Sequence, residues 1–154
     1  MRSFTDILND LLVEVFHNIL RAEEEYLQKG ISRGLSIREM HMIEYVGKAG
    51  DEGRTLSEIA DFLKVARPSV TVAARKLEGK GFLVKNGCAQ DGRVVRVTLT
   101  REGRKTYIQH MRFHTLMARE LEDGLSEDEK NTLIRTIERL DKFFEKSIGA
   151  LNEF

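Results

Sequence analysis

Residues 4 to 27 place Phe4, Ile7, Leu8, Leu11, Leu12, Val15, Phe16, Ile19, Leu20 and Leu27 at helical three-four spacing, over about six turns without proline or glycine. This tract predicts one long amphipathic helix, ended by Gly30 and Gly34. Two more long helices are expected at the other end of the chain. One runs from Thr100 to about Asp123, and the other from the Ser126-Glu-Asp-Glu129 cap to about Ile148. The last carries Leu133, Ile137, Leu140, Phe144 and Ile148 at heptad-like spacing. Three such stripes exceed what a single small module covers, so they are expected to pack against a second copy in a two-fold homodimer.

Between them the pattern changes. A helix from about Ser36 carries Ile37, Met40, Ile43, Tyr45 and Val46, and Gly47, Gly50 and Gly53 mark a loop. Thr55-Leu-Ser-Glu58 has the form of a capping box and opens a short helix through Ile59, Ala60, Phe62 and Leu63. The next helix runs from about Arg67 to Lys80, with Pro68 in its first turn and Gly81 at its stop. Two strands follow, Phe82 to Lys85 and Arg93 to Leu99. In the second, Val95, Val97 and Leu99 face one way and Val94, Arg96 and Thr98 the other. The expected fold is mainly α with a small β-hairpin (α+β), a winged helix-turn-helix over 35–100 between dimerisation helices at 1–34 and 101–154. A chain of 154 residues fits one such domain.

Charge separates along the same lines. Lys+Arg and Asp+Glu balance at 25 each, but from Thr55 to Lys105 there are 11 cations against 5 anions, leaving 14 against 20 for the two ends. A basic middle between acidic flanks points to a polyanion at the middle. In the 67–80 helix, Val70, Ala74 and Leu77 pack inward and Arg67, Ser69, Thr71, Val72, Arg75 and Lys76 face out. That small, polar and cationic face suits the major groove of double-stranded DNA, where Arg donates to guanine and a Val methyl meets thymine. The same residues also suit an ordinary solvated helix, and the hairpin tilts the balance. Arg93 at its tip fits the narrow minor groove, with Asp91 able to pair with Arg93 or Arg96 and hold the tip.

The runs Leu77-Glu-Gly-Lys-Gly-Phe-Leu83, Asp91-Gly-Arg93 and Val97-Thr-Leu-Thr-Arg-Glu-Gly-Arg104 resemble the signature of the MarR family of transcriptional regulators, and the resemblance covers essentially the whole chain. It implies a homodimeric winged-helix repressor that binds an inverted-repeat operator and responds to a ligand. By that resemblance Arg93 is the wing arginine, and the helix around Ser69, Thr71 and Arg75 is the recognition helix. Ala66 departs from the pattern, standing where many members place a Ser or Thr cap.

Ser36-Ile-Arg-Glu-Met-His-Met-Ile43, His110-Met-Arg-Phe-His114 and Asp123-Gly-Leu-Ser-Glu-Asp-Glu129 resemble the fatty-acid-biosynthesis repressors of that family. That likeness implies repression of fatty-acid synthesis genes with acyl-acyl carrier protein as corepressor. Leu20, Leu27, Met40, Ile43, Met111 and Met117 are the candidate walls for an acyl chain, a lining also typical of ordinary core. The histidines give a second reading. His110 and His114 lie four apart on one helix face, and His41 with Glu23 or Glu24 completes a candidate four-ligand site for zinc. These positions resemble one site of the family's zinc-uptake repressors, although Lys29-Gly30, Met40 and Gln109 replace the residues of that subfamily's second site. A histidine pair of this kind is also commonly structural.

The only cysteine, Cys88, excludes an internal disulfide and fits a reducing, cytoplasmic setting. No signal peptide is evident and no apolar run approaches the roughly 20 residues that span a bilayer, so no membrane role is expected. Nucleophile-elbow and phosphate-loop motifs are absent, and an enzyme is not expected.

Overall fold

The computed structural model describes residues 1–29, 32, 34–87 and 95–151, the last three by backbone alone. The described elements are α1 (Phe4–Leu27), α2 (Ile37–Gly47), β1 (Arg54–Thr55), α3 (Leu56–Leu63), α4 (Arg67–Gly79), β2 (Leu83–Gly87), β3 (Val95–Leu99), α5 (Arg101–Glu122) and α6 (Glu127–Leu151). All six expected helices are present within three residues of their expected ends. The strand β1 was not expected from the sequence, and it pairs antiparallel with β3, Arg54 opposite Val97. The sheet order is β1-β3-β2, with Leu83 opposite Leu99 and Lys85 opposite Val97.

The chain divides into two compact units, 1–111 and 112–154. The core of the first gathers Leu27, Leu35, Met40, Met42, Ile43, Val46, Ile59, Val70, Ala74, Leu77, Phe82, Leu83, Val97 and Leu99. Alternation along β3 therefore resolves as expected at Val97 and Leu99, whereas Val95 remains 37% exposed. The helix starts are set by reciprocal caps. Ser36 with Glu39 opens α2, and Thr55 with Glu58 opens α3.

The end of α4 is fixed by Gly81 at φ 81°. The Gly81 amide donates to Glu78 O and the Phe82 amide to Leu77 O, both at 3.0 Å, and both carbonyls belong to the last turn of the helix. That pair of bonds reverses the chain directly into β2. Gly103, in the first turn of α5, lies so close to the Phe82 carbonyl that a Cβ there would collide with backbone. In the second unit, the C-terminal part of α5 and α6 enclose an apolar groove of Ala118, Leu121, Leu125, Leu133, Ile134 and Ile137. Among the described residues, no helix is long and apolar enough to cross a membrane.

Candidate nucleic-acid interface

Helix α4 begins at Arg67 with Ala66 in an extended conformation and no side-chain cap, Pro68 occupying the first turn instead. The loss of a capping side chain is eased because proline has no amide hydrogen to satisfy. Val70, Ala74 and Leu77 are buried, at 1% exposure or less. This fixes the rotation of the helix. Arg67, Ser69, Arg75 and Lys76 are exposed, Val72 is 66% exposed, and Thr71 is half-buried. The Thr71 hydroxyl donates to Arg67 O at 3.1 Å, so toward a ligand it is an acceptor. The turn between α3 and α4 is made by Lys64 in the left-handed region, at φ 53° and ψ 44°.

A groove runs beside this face, lined by Arg38, Met42, Lys64, Ser69, Val72 and Lys76 among others. Arg96 is exposed and its Nη1 lies 3.4 Å from the carbonyls of both Glu52 and Gly53. Those contacts tie β3 to the loop before β1. Asp91 and Arg93, the residues expected at the wing tip, and Cys88 lie outside the described residues.

The candidate effector residues separate into three places. Leu27, Met40 and Ile43 are inside the core at 2% exposure or less, Leu20 and Met111 are half-buried, and Met117 belongs to the second unit. Glu23, His41 and His110 converge, with one ligand atom of each within 4.8 Å of the others. Glu23 and His110 are 4% and 2% exposed. Glu24 instead lines a cleft with Leu27, Leu35, Ser36 and Arg38, and His114 lies one turn further along α5, in the second unit.

Sequence reasoning missed Glu44, whose Oε2 sits 3.5 Å from His110 Nε2 and whose other oxygen is 2.6 Å from Lys48. The hydrogen bond with His110 lowers the Glu44 carboxyl to about 2, against the upward push of burial and helped by Lys48. It also missed the pairing of Glu39 with Lys76 of α4 and with Lys80, the residue that caps it. The only sequence signal for either was the Ser-x-x-Glu spacing at Ser36 and Glu39.

Two helices joined by a tight turn, an outward face of small polar and cationic side chains on the second, and a sheet packed behind it define a winged helix-turn-helix DNA-binding protein. The MarR family profile matches residues 33–94. The structure of Streptococcus pneumoniae FabT in complex with DNA superposes with a TM-score of 0.83 at 34% identity, over 92% of this chain and 98% of that one. The HTH-type transcriptional regulator BilQ of Clostridium symbiosum is 29% identical over 124 residues, 80% of this chain and 81% of BilQ. A Staphylococcus aureus MepR–DNA complex, 22% identical over 87% of this chain and 94% of its own, shares the fold with a TM-score of 0.70. The chain belongs to the MarR family of transcriptional regulators and is not an enzyme.

Proposed function

We propose that this regulator is a cytoplasmic homodimeric repressor of fatty-acid biosynthesis genes, with acyl-acyl carrier protein as corepressor. The observation that carries the reading is the 34% identity to FabT across almost the full length of both chains, joined to the resemblance of the 36–43, 110–114 and 123–129 runs to fatty-acid repressors. DNA would be read by α4 through Arg67, Ser69, Thr71, Val72, Arg75 and Lys76, with Asp91, Arg93 and Arg96 on the wing, on an inverted-repeat operator. An acyl chain reaching Leu27, Met40 and Ile43 from Leu20 and Met111 would have to part a packed core. Methionine at Met40 and Met111 suits such repacking, because its unbranched side chain changes shape at low cost.

A zinc-responsive repressor is the second reading, favoured by the convergence of Glu23, His41 and His110. One carboxylate and two imidazoles fit zinc, which takes oxygen and nitrogen donors and accepts water as a fourth ligand. Zinc there would cross-link α1, α2 and α5. One experiment separates the readings. Affinity for a fatty-acid synthesis promoter fragment is titrated with acyl-acyl carrier protein and, separately, with zinc, beside metal analysis of the purified protein. Tighter binding with the acylated carrier alone is expected. Tightening with zinc alone, with metal retained through purification, would replace the first reading by the second.

A further inference from the structure

Lys76 of α4 and Lys80, the residue that caps its C-terminus, converge on one carboxylate of α2. Glu39 is only 6% exposed. Its Oε1 lies 3.2 Å from Lys76 Nζ, and both its oxygens lie 3.0 Å from Lys80 Nζ. Its Oε2 also accepts the Ser36 amide at 2.8 Å, so the group that caps α2 is the group that grips α4. Burial pushes this carboxyl up, yet the bonds from Ser36, Lys80 and Lys76 outweigh it and hold it below the usual glutamate value.

The two lysines are held unequally. Lys80 also donates to Gly34 O at 2.8 Å and its side chain is 28% exposed, which commits it to the fold. Lys76 makes a longer contact with one oxygen and its side chain is 62% exposed, which leaves donors for another acceptor. A buried carboxylate is costly unless paired, and replacing such a pair by apolar groups is often neutral or stabilising. Stability is therefore a poor account of why it stands here. Geometry offers a better one. The brace ties the C-terminal half of α4 to the start of α2, and thus bears on the angle at which Ser69, Val72 and Arg75 are presented. Base contacts fail when a side chain shifts by a fraction of an ångström, while phosphate contacts tolerate slack.

We propose that Glu39 is a positioning residue for sequence reading: by holding Lys76 and Lys80 it fixes α4 in the orientation that discriminates an operator from other DNA. This is independent of which effector the protein senses. The test uses the full chain and two probes, a duplex selected by the wild-type protein from a random-sequence pool and a scrambled duplex of the same composition. Glu39→Gln keeps shape and removes negative charge beside a cationic face, so affinity for the scrambled duplex holds or rises. The ratio of the two affinities is expected to fall by about threefold or more. Lys80→Met changes the charge in the opposite direction, weakening general binding, and its ratio is expected to fall as well. Equal shifts on both probes would reduce the brace to long-range charge, and unchanged affinities would leave it without a role in binding; either outcome overturns the proposal. Should Glu39→Gln fail to fold, a ratio retained in Lys80→Met overturns it alone.

Discussion

Arg75 and Lys76 are neighbours on the outer face of α4, but only Lys76 is tied to α2. Arg75→Ala is expected to cost about 1–3 kcal/mol on a selected duplex and little on a scrambled one, measured by anisotropy titration. Equal losses would assign Arg75 to phosphate. Lys64 offers a stability test. The left-handed conformation costs a non-glycine residue roughly 1–2 kcal/mol, and glycine returns about 0.5–1 kcal/mol of that as chain entropy. Lys64→Gly is therefore expected to raise the thermal midpoint slightly, and a lower midpoint would show that the lysine is held there by contacts worth more than the strain. At this scale the sequence was informative where periodicity governs: Val70, Ala74 and Leu77 were expected inward and are buried. It said nothing of Glu39 with Lys76 and Lys80, because an ion pair between helices depends on the angle at which they cross.

Four of the described helices begin at carboxylates. Ser3 with Asp6, Ser36 with Glu39, Thr55 with Glu58 and Ser126 with Glu129 each exchange bonds at a helix start. Thr55→Ala removes the hydroxyl acceptor of the Glu58 amide, and about 1 kcal/mol of stability is expected to go with it in chemical denaturation. The bonds from Thr55, the amide first and then the hydroxyl, hold the Glu58 carboxyl below its ordinary 4.5. Ser3 and Ser126 lower Asp6 and Glu129 by the same means, hydroxyl first. For a group whose folded value is lowered, the stabilisation is complete above the unfolded value and drains away as pH falls through the folded one. Glu58→Gln is accordingly expected to narrow the gap between unfolding midpoints at pH 7 and pH 3, and an unchanged gap would remove this cap from the acid response. The starts at Thr55 and Ser126 were legible as Ser/Thr-x-x-Glu in the sequence, whereas β1, two residues long, was not. Its existence depends on β3 arriving alongside.

Over the whole molecule, the unpaid surface is at the two ends. Phe4, Leu11, Val15 and Phe16 on α1 are 79%, 52%, 50% and 59% exposed, and Ile137, Phe143, Phe144 and Ile148 on α6 are all above half. Faces of this kind mark association sites. Leu11→Glu is expected to convert a dimer to a monomer in sedimentation and to abolish tight operator binding while leaving the 35–87 helices intact by circular dichroism. A dimeric Leu11→Glu protein would move the interface off α1. The stripes themselves were plain in the sequence, but a stripe names no partner.

The exposed faces of α1 and α6 have a consequence for dosage. If two chains must meet before either can hold an inverted repeat, the bound species at low abundance grows as the square of the number of chains. Halving synthesis would then leave about a quarter of the assembled regulator. A promoter controlled this way responds to the amount of repressor as a threshold, and the solitary chain, its apolar stripes open, is the form that quality-control proteases meet first.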